Sequence, residues 1–259
     1  MIKRVMKKVS IKGPIKLVST NRSIFFTFLF YAIIFKAVLP LSCPRVNCRR
    51  GRLTAFTSMD SKVKIAFSQQ ELARIYDSSF LLSRNLIMEK MYALFYHFSQ
   101  TITASPAHQS YRFPEATNIL SPKISRGENY NGLPYIMMDF PALFSKENIF
   151  AFRTLFWWSN FFSFTLHLKG TPLAEKLDTI IRNMDLTRDG PIVYYSGADA
   201  WNHNLMDKNY LPFSDPAAVR RQATAYGFLK LSRKLELARY AELEQVGLIT
   251  YELFLTLTR

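Results

Sequence analysis

Residues Phe161 to Lys169, FFSFTLHLK, alternate without a break: Phe162, Phe164, Leu166 and Leu168 fall on one side, and Phe161, Ser163, Thr165, His167 and Lys169 on the other. Side chains along a strand point to opposite faces in turn, so this run predicts an antiparallel strand with its Phe/Leu face on the core. The upstream run Ile149–Trp157 narrows the pairing further. A two-residue loop at Ser159-Asn160 sets Ala151 and Arg153 beside Leu166 and Leu168, whereas a three-residue loop, Trp158-Ser159-Asn160, sets Phe150, Phe152 and Phe156 there. A slip of one residue exchanges the faces, and only the longer loop keeps one of them apolar. Such a loop needs a left-handed backbone at its third position, which Asn160 tolerates better than most residues. The other face then carries Arg153, Leu155 and Trp157 beside Ser163, Thr165, His167 and Lys169. That is either a ligand floor or, more commonly, the solvated or helix-covered side of an antiparallel sheet.

The rest of the chain is read around this hairpin. Ser68-Gln-Gln-Glu71 is a capping-box pattern that predicts a short helix from Gln69, fading by Asp77. Phe80 to Thr103 reads as a long helix, with a stripe of Leu, Met and Phe and no Gly or Pro. Its stripe belongs to the core rather than to a cofactor. Ser105 to Gly132 reads as an irregular connection rich in Pro and Gly, long enough to be functional or mobile. Arg126, Glu128 and Tyr130 in its SRGENYNG segment are candidate ligand contacts. Leu133 to Phe140 is the strand that enters the hairpin, and its Asp139 is a natural partner for Arg153. Thr171-Pro172 opens a helix that ends near Asp185, and PIVYYS is a short strand. The irregular stretch after it carries Trp201, His203 and Tyr210. Ser214-Asp215-Pro216 caps a last long helix expected to run to about Gln245, and Ile249 to Thr258 alternates like a strand.

Charge is distributed unevenly. Of 34 Lys/Arg and 19 Asp/Glu, residues 1–58 hold twelve basic and no acidic side chains, which leaves 22 against 19 for the remainder. The high isoelectric point therefore belongs to the leader, and the body gives no strong nucleic-acid signal. Within the leader, Ser23 to Leu41 is apolar apart from Lys36 and a few small polar residues, and roughly 20 residues suffice to span a bilayer. The heavier positive charge upstream predicts a single-pass membrane protein with its N-terminus inside. A second reading starts the native chain at Met59, which removes residues 1–58 and leaves a cytoplasmic body. Both cysteines, Cys43 and Cys48, lie in the leader, so the body forms no disulfide.

No HExxH, GxSxG, Walker loop or GxGxxG occurs, so no metal site and no cofactor is expected, and the motifs of hydrolases and nucleotide binders are missing. Residues 123–170, with GENYNGLPY and FWWSNFFSFTLHL, resemble a family of conserved bacterial proteins of unassigned function. The resemblance spans roughly a fifth of the chain and implies a body complete without the leader; it carries no catalytic residue over.

The sequence thus predicts a single α+β domain over residues 59–259. Its mainly antiparallel sheet is built on the 133–169 strands and packed by two long helices, 80–103 and 216–245. The leading function is a non-enzymatic binding or structural domain. A competing reading is a small-molecule enzyme with His167 as general acid or base, Arg153 binding an anion and Asp139 orienting it. Ligand contacts would come from Arg126, Glu128, Tyr130, Trp157, Thr165 and His203. A third reading places an anionic surface or nucleic acid on the basic face of a helix over 217–241, where Arg220, Arg221, Lys230, Arg233, Lys234 and Arg239 lie. Partner and oligomeric state are not readable.

Overall fold

In a computed structural model, which describes residues 65–188 and 190–259, the 149–169 hairpin lies at the centre of a seven-stranded sheet. β1 (Lys123–Tyr130), β2 (Leu133–Phe144), β3 (Ile149–Trp157), β4 (Phe161–Lys169), β5 (Ile192–Tyr195), β6 (Tyr210–Pro212) and β7 (Phe228–Glu236) are ordered β1-β2-β3-β4-β7-β5-β6. Every neighbouring pair is antiparallel. With six α-helices among the described residues, four of them packed on the sheet, the domain is α+β. The central register is the apolar one: Phe150 faces Leu168, Phe152 faces Leu166 and Phe156 faces Phe162, across a loop of residues 158–160. The left-handed residue of that loop is Ser159 (φ 61°), not Asn160 as expected. Asn160 instead donates from its side-chain amide to the Trp158 carbonyl (2.8 Å).

The Phe/Leu face is covered by α2 (Ser78–Ala104), α4 (Thr171–Arg182), α5 (Pro216–Tyr226) and α6 (Leu243–Leu257). Phe98 of α2 meets Phe164 edge-on (6.1 Å), and Tyr251 of α6 meets Phe152 (4.9 Å). Burying an aromatic side chain of this size contributes about 1.5–3 kcal/mol, so this layer holds most of the stabilisation. The Ser68–Glu71 capping box opens α1 (Gln69–Tyr76). Asp77 does not merely end α1. Its carboxylate caps α2 through the Phe80 N–H (3.2 Å), so α2 starts two residues earlier than Phe80.

Three expectations are corrected. The 105–132 connection is not irregular throughout. It contains α3 (Pro106–Ser110) and β1, which joins β2 through Asn131-Gly132, both at positive φ (51° and 83°) as a tight hairpin turn requires. No helix runs over 216–245: α5 stops at Gly227, whose left-handed backbone (φ 70°) ends it, and the chain continues as β7. Residues FLKLSRKLE have period two, and their Leu set joins the core. Residues 249–257 belong to α6 rather than to a strand, with Val246, Thr250, Tyr251, Phe254, Leu255 and Leu257 buried at helical spacing. The basic helix over 217–241 therefore does not exist, and its cations are divided between a helix, a strand and a 3-10 turn.

Among the described residues no helix is long and apolar enough to cross a membrane, which corrects the expectation of a single-pass membrane protein. Residues 23–41, the leader with Cys43 and Cys48, and the alternative start at Met59 lie outside the described residues.

Candidate functional site

The second face of the sheet is neither solvated nor covered by a helix. Its central residues are buried, with Tyr135 and Lys169 half-buried and Lys234 exposed at its margins, and the covering layer is the irregular stretch 196–209. Cross-strand register sets the polar groups in rows. Asp139 faces Arg153, Arg153 faces Thr165, and Thr165 faces Ser232; one step along, His167 faces Lys230. Thr165 and Ser232 share a hydrogen bond between hydroxyls (2.8 Å). All six of these side chains are buried.

Arg153 and Asp139 form a forked pair. Nε donates to Oδ1 (2.6 Å) and Nη2 to Oδ2 (3.2 Å), while the guanidinium lies against the rings of Phe144 (5.4 Å) and Trp201 (5.3 Å). Burial pushes the Asp139 carboxyl upward and the Arg153 charge draws it partly back. The Arg153 Nη1 lies 3.5 Å from His203 Nε2, which accepts. Burial, with Lys230 and Arg153 beside it, holds His203 well below the usual imidazole range, so it is neutral.

Lys230 has no exposed surface. Its ammonium donates to the Asn202 carbonyl and lies over the rings of Tyr195 (5.3 Å) and Tyr210 (5.7 Å). Burial and then Arg153 lower it to about 7. Asn202 is the fastening of the cover. Its carbonyl also accepts from Tyr210 Oη (2.7 Å), and its amide donates to Asp207 Oδ2 (2.8 Å) and Tyr195 Oη (3.3 Å). Next to it, the His203 N–H donates to Tyr130 Oη (2.7 Å). Burial raises the Tyr210 phenol.

Between this cover and β1–β3 lies a cleft of about 380 Å³. Arg153, His203 and Ser125 supply its polar wall; Tyr130, Tyr135 and Trp201 supply aromatic ones. The sequence candidates are therefore sorted. Arg153, Tyr130 and His203 come together at the cleft, with Asp139 behind Arg153. Trp157 and Thr165 are buried in structural hydrogen bonds, Trp157 donating Nε1–H to the Tyr130 carbonyl (3.2 Å). Arg126 and Glu128 line a different pocket, against α2, where Glu128 pairs with Arg84. They are not part of this cleft. His167 is close but does not line it. Its ring is wholly buried, edge-on to Trp201 (5.5 Å) and Phe228 (6.0 Å), and neither ring nitrogen has a partner. Leaving such a group unpaired costs about 1–3 kcal/mol. Burial, then Lys230 and Arg153, pull it down to about 3.

Lys230, Ser232 and Asn202 are parts of this region that sequence reasoning missed. The first two have a detectable signal, period-two alternation directly after Gly227; Asn202 has none. Elsewhere, an apolar groove of about 850 Å³ runs between α2, α6 and the sheet, walled by Met91, Leu94, Phe156 and Tyr240. It is larger, but no buried charged group faces it. Among the described residues no cluster of His, Cys, Asp or Glu could hold a metal ion. No family model, curated protein or solved structure matches the chain, so the reading of this site rests on its geometry.

Proposed function

We propose that the chain is a binding domain whose cleft takes a small anionic molecule on Arg153, without bond-making chemistry. The observation that carries this is the buried guanidinium of Arg153 at the cleft wall: Asp139 takes its Nε and Nη2, and among the described residues Nη1 meets only the neutral His203 ring at 3.5 Å. An anion entering from the aromatic side can accept from that Nη1, and a desolvated guanidinium is well suited to hold it. His203 and the aromatic walls supply orientation, in keeping with a pocket of few polar groups on apolar lining. An enzyme built on His167 and Arg153 needs both in one concave pocket, and His167 lies outside the cleft.

Titration calorimetry with acetate, benzoate, citrate and inorganic phosphate tests the reading. At least one anion should bind the wild-type protein and lose its binding in the double variant Asp139→Asn/Arg153→Gln. That variant removes both charges together, so neither is left buried alone. Equal binding by the double variant, or no binding by the wild type, sinks the proposal.

A further inference from the structure

His167 and Arg153 are separated by one ring. The Trp201 indole is edge-on to His167 (5.5 Å) and lies over the Arg153 guanidinium (5.3 Å), and it leans on Phe144 (6.4 Å). Three facts make this ring unlike a core residue. Trp201 is 51% exposed, although it covers groups with almost no exposure. Among the described residues its indole N–H has no acceptor, and the one hydrogen bond to this residue is from its backbone N–H to Asp199 Oδ1 (2.9 Å). The imidazole beneath it is wholly buried with both nitrogens unpaired, an arrangement that costs stability and calls for an explanation.

We propose that Trp201 is a lid over an inner chamber of the cleft, and that a small aromatic carboxylate replaces its indole there and bridges Arg153 and His167. The inference rests on the reading of Arg153 as an anion site and extends it to the occupant. The slot that Trp201 vacates is flat and walled by Phe144 and His167, so it fits a ring. The carboxylate accepts from Arg153 Nη1 and from the His167 ring, giving the orphaned imidazole a partner. The lid turns on the 196–209 stretch, whose fastening at Asn202 holds while the next side chain swings.

The test couples histidine acylation by diethyl pyrocarbonate, mapped peptide by peptide, with calorimetric titration of benzoate, acetate and a free tripeptide. In the wild type, His167 should react at least tenfold more slowly than the exposed His97. In Trp201→Ala its rate should rise at least tenfold, with His108, buried and bonded to Tyr251 (2.7 Å), unchanged as the control for unfolding. Benzoate should bind Trp201→Ala at least tenfold tighter than the wild type, protect His167 from the reagent, and outcompete acetate and the tripeptide. If Trp201→Ala fails to fold, Trp201→Leu makes the same comparison. A His167 that stays unreactive in the folded variant removes the lid. An exposed His167 that benzoate does not protect removes the chamber's occupant, and preference for the tripeptide transfers the site to a peptide terminus; both overturn the proposal. Anion binding that still depends on Arg153 in any of these cases leaves the outer cleft intact, so the two readings fail separately.

Discussion

Lys230 keeps its ammonium on one backbone carbonyl and two tyrosine rings, with no exposed surface, and this sets a pH dependence with a definite sign. Its folded value, about 7, lies below the 10.5 of an unfolded lysine. The unfolded chain therefore binds more protons between those values, and stability rises with pH across that window, by at most about 1.4 kcal/mol per pH unit. The gain is complete above the unfolded value and is lost as pH falls to the folded one. Urea unfolding between pH 8 and 9.5, above the range where the buried histidines act and below that where the raised tyrosines begin to, should show this slope in the wild type and lose most of it in Lys230→Met. A slope unchanged in the variant rules the lysine out as its source. Arg153 and Asp139 give a second expectation. Asp139→Asn leaves a buried guanidinium without its counter-ion and should cost about 3–5 kcal/mol, as should Arg153→Gln for the carboxylate, whereas Asp139→Asn/Arg153→Gln should cost much less than their sum. Additive losses in that double-variant cycle would mean that the two side chains act independently. The pair was legible in the sequence because both residues lie on period-two runs whose register apolar faces determine. Lys230 was not, because a run of cations between two helical segments looks like a solvated helix face until its alternation is tested.

Two glycines separate conformation from space at the level of elements. Gly227 ends α5 with a left-handed backbone and nothing within 4 Å of the place a Cβ would occupy. Gly227→Ala should therefore cost only the strain of that conformation, about 1–2 kcal/mol. Gly247 is helical, but a Cβ there would lie 2.5 Å from the Phe98 ring and 2.7 Å from Phe164, where α6, α2 and β4 meet. Gly247→Ala should cost about 1–3 kcal/mol by overpacking, and Phe98→Leu should relieve part of that cost. A Phe98→Leu background that gives no relief in thermal melts would place the strain elsewhere. The same two positions explain which elements could be read in advance. α5 and β7 are joined with a single glycine between them, so a helical pattern that begins well at Asp215 runs on past its real end. In α6, Ile249, Tyr251, Leu253, Leu255 and Leu257 also satisfy period two; burial of Val246, Thr250, Tyr251, Phe254 and Leu257 at helical spacing decides for the helix, and Gly247 lets it approach the Phe98–Phe164 pair. The Asn131-Gly132 turn, by contrast, carried a readable hairpin signal in NYNG, and β1 was missed because proline and glycine elsewhere in 105–132 outweighed it.

Over the whole molecule, the sheet is sealed by unlike layers. Helices bury aromatic side chains against one face, while the other is closed by a stretch without regular structure, fastened mainly by hydrogen bonds that converge on Asn202. Hydrophobic burial is distributed over many contacts, whereas a fastening of this kind depends on a few groups, so the two layers should open with different free energies. Native-state hydrogen exchange should show amides of 196–209 exchanging through a local opening well below the global unfolding free energy, with β3 and β4 exchanging only through the latter. Asn202→Ala removes the side-chain half of the fastening: the amide bonds to Asp207 and Tyr195 and the acceptor for Tyr130 Oη and the Asn204 N–H. It keeps the carbonyl that accepts from Lys230 and Tyr210. The variant should speed exchange across 196–209 several-fold and leave β3 and β4 within error of the wild type. Equal acceleration in both layers would mean that the cover and the core unfold as one unit, and that access to the buried Arg153–His167 face requires global unfolding.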